Sequence, residues 1–314
     1  MSLQSFQVVP NSASACGVLL RELIDYAGLF PPASLPMARS VANYDAYLQS
    51  EWNAMLGRFI VPASRLDEFQ KALTGLPAPG DGDCRNWRLS VLLGADPVAD
   101  VARLRECNAR LDDKSGRTAI IESVETKMTT AEEVSRISGI IPSELATYFE
   151  IPLSHCSACI TTLAGSRRRA KIRMGGETAD KFPTSESVIE FMRECAAANV
   201  PFKATAGLHH PLRSVHRLTH QPESASGMMH GFLNVFLAAA FLRAGMEAEV
   251  AQQLLEEQSA QAFHFDWDRV AWRQHQLRQD DIAAARLHFA ISFGSCSFIE
   301  PIDDLRSLRE SHLV

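Results

Sequence analysis

Two lysines stand in short β-rich runs that each end in glycine: Lys171 in Lys171-Ile-Arg-Met-Gly175 and Lys203 in Phe202-Lys203-Ala-Thr-Ala-Gly207. An amine crowded by a second cation and partly stripped of water loses its proton more readily and becomes a nucleophile. Such an amine condenses with an aldehyde or ketone to a Schiff base, and a nearby carboxylate can carry the protons. The carboxylates placed for that work are Glu150, in Tyr148-Phe149-Glu150, and Glu122, in the run at 118–124. The competing reading is that these charges pair into a structural network.

Either reading requires the side chains to share a face. Successive residues of a strand point to opposite sides. Phe202 and Ala204 facing out send Lys203 and Thr205 in, and Ile172 and Met174 facing out send Lys171 and Arg173 in. The same parity turns Tyr148 and Glu150 inward, and Glu122 is read as inward on its own strand. Arg173 and Arg213 could give charge-assisted bonds to a substrate carboxylate or phosphate. Gly175, Gly176 and Gly207 stand where loops meet helix starts, where backbone amides can hold an anion, although plain turn glycines explain them too.

The elements that must position these residues repeat along the chain. Strand-like runs at 23–26, 58–62, 88–94, 118–124, 146–151, 170–174, 201–206 and 231–236 are each followed by a helical pattern, the seventh by a segment around 212–218. Strands alternating with helices of ~10–15 residues indicate βαβ units and a parallel sheet. Eight such units predict an α/β chain closed into a (β/α)8 (TIM) barrel with a C-terminal helical appendage. A doubly wound open sheet is the rival, but no G-x-G-x-x-G follows the first strands. The expected organisation is one domain over 1–314, with a barrel core at about 20–245 and an extension at about 246–314. Such an extension could cover a barrel face or join two copies in a homo-oligomer. Inward charges are expected near the carboxyl ends of the strands, where barrel active sites lie.

The two lysine motifs, about 30 residues apart, resemble the paired lysine motifs of the class I deoxyribose-phosphate aldolases, over about residues 146–213. The resemblance implies a (β/α)8 barrel in which Lys171 is the Schiff-base lysine on the sixth strand. It implies that Lys203, on the seventh, lowers the first lysine's pKa. Tyr148-Phe149-Glu150 also resembles that family's fifth-strand run. Arg173 stands where the family has a small hydroxyl residue, and Glu122 or Glu125 is the nearest candidate for its fourth-strand aspartate. The function expected on this basis is a lysine-dependent aldolase or lyase acting on a small anionic carbonyl compound, without a cofactor.

A second chemistry is available to His209 and His210. With Glu122 and Glu150 they could hold a divalent metal such as zinc or manganese and run a hydrolysis or an isomerisation. His216, His220 and His230 add candidates without fixed spacing, and the histidines could instead cap a helix or bind substrate. A third reading is a non-catalytic barrel that binds a small anion. Cys156 and Cys159 have C-x-x-C spacing but no second pair, and are read as structural. Asp25, before an aromatic, proline-stiffened loop, could form a wall of the mouth, and the segment 293–298 a flap over it.

Composition narrows the partners. A net charge of −6 over 314 residues gives no reason to expect nucleic acid or an anionic membrane, leaving a small-molecule substrate. The most apolar stretch, 231–242, is shorter than the ~20 residues a bilayer requires. Seven cysteines without a framework, and no signal-peptide pattern at 1–10, are the expectation for a cytoplasmic protein.

Overall fold

A computed structural model describes residues 11–77, 85–110, 117–219 and 223–310. His220 lies outside them. The chain opens with helix α1 (Ala15–Leu20), strand β1 (Ile24–Tyr26) and α2 (Met37–Leu48). It continues through β2 (Leu56–Pro62), α3 (Leu66–Thr74), β3 (Arg85–Leu92), α4 (Pro97–Arg110), β4 (Arg117–Lys127) and α5 (Ala131–Ser138). Then come β5 (Ala146–Glu150), α6 (Cys156–Leu163), β6 (Arg168–Arg173), α7 (Ser185–Ala197) and β7 (Phe202–Thr205). After β7 a hairpin of β8 (Ser214–Arg217) and β9 (Ser226–Met229) leads to α8 (Phe232–Arg243) and α9 (Ala248–Leu255). An antiparallel sheet of β10 (Phe263–Phe265), β11 (Arg269–Trp272) and β12 (His275–Arg278) precedes α10 (Gln279–His288), β13 (Ala290–Ser295) and α11 (Ile299–Glu310).

Eight of these strands close into a parallel barrel in the order β1-β13-β7-β6-β5-β4-β3-β2. The fold is a (β/α)8 barrel. Its outward-facing residues are large and apolar, as strands covered by helices require. Phe59 and Trp87 pack with Tyr44 of α2 and Phe69 of α3, ring centroids 4.6–5.9 Å apart. The helices carry ordinary start signals: Thr130 accepts from the Glu133 N–H and Thr184 from the Ser187 N–H.

The eighth strand is not where the sequence pattern puts it. Residues 231–236 begin α8, buried at every position from Phe232 to Phe241. A helix buried all round has no polar stripe, so its apolar run is indistinguishable by period from a buried strand. The closing strand is β13, which takes in the first half of the segment 293–298 expected to be a flap. Phe293 pairs with Ile24 of β1 and with Ala204 of β7. The barrel core therefore extends to residue 295, well past 245, and the extension is not only helical. The segment 212–218 is likewise no helix but the first half of the hairpin. Among the described residues no helix is long and apolar enough to cross a membrane.

Candidate active site

The barrel interior is unusually polar, because β1, β4, β5, β6 and β7 each send a charged side chain inward. In β6 and β7, Lys171 and Lys203 are direct register partners, so their amines leave neighbouring strands at the same height. Lys203 is fully buried. Its Nζ lies 2.5 Å from Oδ2 of Asp25 and 2.7 Å from Oε1 of Glu125. Lys171 is 5 % exposed. Its Nζ lies 2.8 Å from Oε2 of Glu125 and 2.9 Å from Oε2 of Glu150. Glu125 thus bridges the two amines, one on each oxygen. The chain of charges ends at the rim, where Nε of Arg173 donates to Oε1 of Glu150 at 2.9 Å.

Hydrogen bonds complete the buried carboxylates. Asp25 accepts from the Arg58 N–H at 2.7 Å and from Oγ of Ser292 at 2.7 Å. Glu125 also accepts from Oγ of Ser90 at 2.8 Å, and Ser123 donates to that same hydroxyl. Burial by itself would raise the pKa of Asp25, but Lys203 and Arg58 hold it below its ordinary value. Against the same burial, Lys171 and Lys203 hold Glu125 low, and Lys171 and Arg173 hold Glu150 low. For Lys203 burial would favour the neutral amine, yet Asp25 and Glu125 push its pKa up. Lys203 is a fixed ammonium. Tyr148 turns inward from β5, its ring 5.3 Å from the Lys203 ammonium, with its hydroxyl taking a 2.7 Å bond from Arg169.

Glu122 does not join this group. Between Leu89 and Ser90 the register of β3 with β4 slips by one residue, so Glu122 and Ser123 share the space opposite one residue of β3. Glu122 stays toward the amino-terminal end, 3.0 Å from Nε of Arg58 and 2.9 Å from Nε of Arg88. Arg88 in turn reaches Glu22. Beyond the bulge it is Glu125 that faces the lysines.

The histidines form a separate cluster beyond β7. Nδ1 of His209 lies 3.0 Å from Glu300, and His210 pairs with Asp304, both acids being on α11. The His210 ring stacks on His216, and His230 bonds Arg213 and the Pro183 carbonyl. With Glu122 low in the barrel and Glu150 tied to Lys171 and Arg173, the expected metal ligands are not brought together. Among the described residues no three His, Cys, Asp or Glu side chains are grouped to hold a metal ion. Arg213 is also remote in role: its guanidinium donates to Ser185 at the start of α7.

The glycines are explained by packing. Gly207 has φ +70, and a Cβ there would lie 2.7 Å from Cα of Gly175, so the loops after β6 and β7 touch backbone to backbone. A Cβ on Gly176 would meet Lys181. Cys156 and Cys159 are buried, which pushes both thiols up and leaves them poor nucleophiles. An open pocket of about 360 Å³ lies off the lysines, between the outer side of β1, α2 and the start of α11, and is lined in part by Tyr26, Asn43, Tyr47, Cys296 and Glu300.

Glu125 is offered by the sequence beside Glu122 as the fourth-strand acid, but nothing there marks the bulge that turns it toward the lysines, and Ser90, Arg58 and Ser292 carry no signal beyond strand parity. Asp25 was visible as an acid at the end of the first strand, though as a wall and not as the partner of Lys203. No protein-family model and no curated protein matches the chain. The fold and the site define a (β/α)8 barrel with two interior lysines joined by a glutamate.

Proposed function

We propose that the protein is a Schiff-base aldolase or lyase that uses Lys171 as its nucleophile on a small anionic carbonyl compound. The observation that carries this reading is the division of labour between two amines on one carboxylate. Lys203 is fully buried between Asp25 and Glu125, whereas Lys171 lies between Glu125 and Glu150, the carboxylate that continues to the exposed Arg173.

A carbonyl compound entering the mouth displaces water, which weakens the charged form of the Lys171–Glu150 pair and moves one proton from Nζ to Glu150. The neutral amine bonds to the carbonyl carbon, passing a second proton to the carbonyl oxygen. Glu150 returns its proton to that oxygen, which leaves as water, and a cationic iminium remains on Lys171. The iminium then accepts the electron pair of the next carbon–carbon bond as it breaks, giving an enamine, and ionised Glu150 takes the hydroxyl proton of the departing carbonyl fragment. Lys203 keeps Glu125 ionised throughout, so a fixed negative charge faces the iminium. Lys203 serves as a counter-charge for Glu125, in place of the amine-perturbing role expected from its motif.

Borohydride reduction in the presence of small aldehydes, ketones and keto acids, followed by peptide mapping, tests the reading. A reduced adduct on Lys171 that is absent from folded Lys171→Met supports it. Absence of an adduct from the whole panel in folded wild-type protein returns the lysines to a structural ion network.

A further inference from the structure

Resting on the Schiff-base reading, we infer that the carbonyl substrate is a 2-oxo acid, with its carboxylate bonded directly to the carbon that Lys171 attacks and held by Arg173. Lys171 and Arg173 are two residues apart on β6, about 6.6 Å along a strand, and point the same way. One carboxylate fixes both, Glu150 taking Lys171 on Oε2 and Arg173 on Oε1. The reacting nitrogen and the guanidinium are therefore separated by the width of a single carboxylate and its two hydrogen bonds.

Arg173 has capacity to spare at that place. Among the described residues it engages Glu150 alone, through Nε, and its side chain is 46 % exposed. Its two terminal nitrogens carry the planar pair of donors that matches a carboxylate. A carboxylate bonded to the carbonyl carbon sets its charge beside the amine and within the span to that edge, whereas a phosphate ester puts at least a carbon and an oxygen in between.

The charge balance points the same way. When Lys171 gives its proton to Glu150, Arg173 loses its ionised partner, and the substrate carboxylate takes that place. Lys127, two residues after Glu125 and exposed at the end of β4, adds a cation to the rim. A neutral ketone would leave Arg173 without a counter-charge at that moment.

The test is borohydride trapping of the full chain with pyruvate, hydroxyacetone and dihydroxyacetone phosphate at matched concentrations, read as the mass increment on the peptide carrying Lys171. Pyruvate is expected to trap at the lowest concentration. In Arg173→Gln, checked for folding by circular dichroism, the ratio of pyruvate to hydroxyacetone trapping should fall on the order of 10- to 100-fold, the size of one charge-assisted bond. An adduct on Lys171 with hydroxyacetone or the phosphate ester in preference to pyruvate, or an unchanged ratio in Arg173→Gln, overturns the 2-oxo acid and leaves the Schiff base standing. No adduct with any of the three in folded protein overturns the 2-oxo acid, and no adduct with the wider panel of aldehydes, ketones and keto acids overturns the Schiff base as well.

Discussion

The ammonium of Lys203 lies 2.7 Å from Oε1 of Glu125, and neither side chain is more than 1 % exposed. A pair this dry is held by its geometry. Taking two charges out of water costs several kcal/mol per ion, and only close contacts with further hydrogen bonds offset that loss. Asp25, Ser90 and Ser292 supply those contacts.

Removing the lysine should therefore be severe. Lys203→Met leaves Asp25 and Glu125 buried without their cation, which costs about 3–5 kcal/mol when one partner of a buried pair is lost. Lys171→Met should cost less, because Glu125 keeps Lys203 and Glu150 keeps Arg173 as a cationic partner. Urea unfolding of both variants checks the order. Equal losses would mean that these remaining partners do not compensate for the missing amine.

The same network fixes how stability changes with acid. Asp25, Glu125 and Glu150 are all held below their ordinary pKa in the folded chain. Groups with depressed folded pKa values stabilise fully above their unfolded values, near 4, and lose that stabilisation as pH falls through the lowered folded ones. The unfolding free energy should hold from neutral pH to about 5 and drop steadily below about 4. Lys203 is raised, so its contribution is present below the ordinary lysine value of about 10.4 and lost as pH climbs beyond it. In Glu125→Gln the acid limb should flatten. An acid limb as steep as that of the parent chain would show that Glu125 titrates normally.

Strand parity alone placed Lys171, Arg173, Lys203 and Glu150 inside the barrel, because β5, β6 and β7 run without irregularity through those residues. It misplaced the fourth-strand acid for a local reason. The extra residue at the β4 bulge resets the alternation, and nothing in Glu122-Ser-Val-Glu125 distinguishes a bulge from a regular strand. The partner of Lys203 could not be inferred either, since Asp25 is 178 residues away and meets it only when the barrel closes. The number of units was legible from the alternation. The identity of the eighth was not, because a helix buried on every side reads as a strand and the true strand follows an inserted sheet.

That closure gives a further prediction. A chain ending at Met246 keeps seven barrel strands but exposes the edges of β1 and β7, which β13 pairs in the full chain. Unpaired strand edges are costly and invite association with other chains. It also loses Phe293, whose ring lies 5.6 Å from Phe232 and 6.0 Å from Phe236. The shortened chain should aggregate or fail to show a cooperative thermal transition, whereas the full chain should melt cooperatively. A monomeric, cooperatively melting fragment would show that the first seven units are stable without β13.

Glu150 separates chemistry from architecture. Its carboxylate is 8 % exposed and touches both the proposed nucleophile and the rim arginine. In Glu150→Gln the amide still accepts from Arg173 or Lys171, so the fold should persist, but it can no longer take the proton that Lys171 must lose. A positioned proton acceptor contributes on the order of 10²- to 10⁴-fold. Adduct formation on Lys171, followed by borohydride quenching at timed intervals, should slow by that factor at neutral pH. Raising the pH supplies more free amine without help from Glu150, so the variant's rate should climb toward that of the parent. Slowing that is the same at every pH would assign Glu150 to holding Lys171 and Arg173 in place, and the proton would have to leave through Glu125.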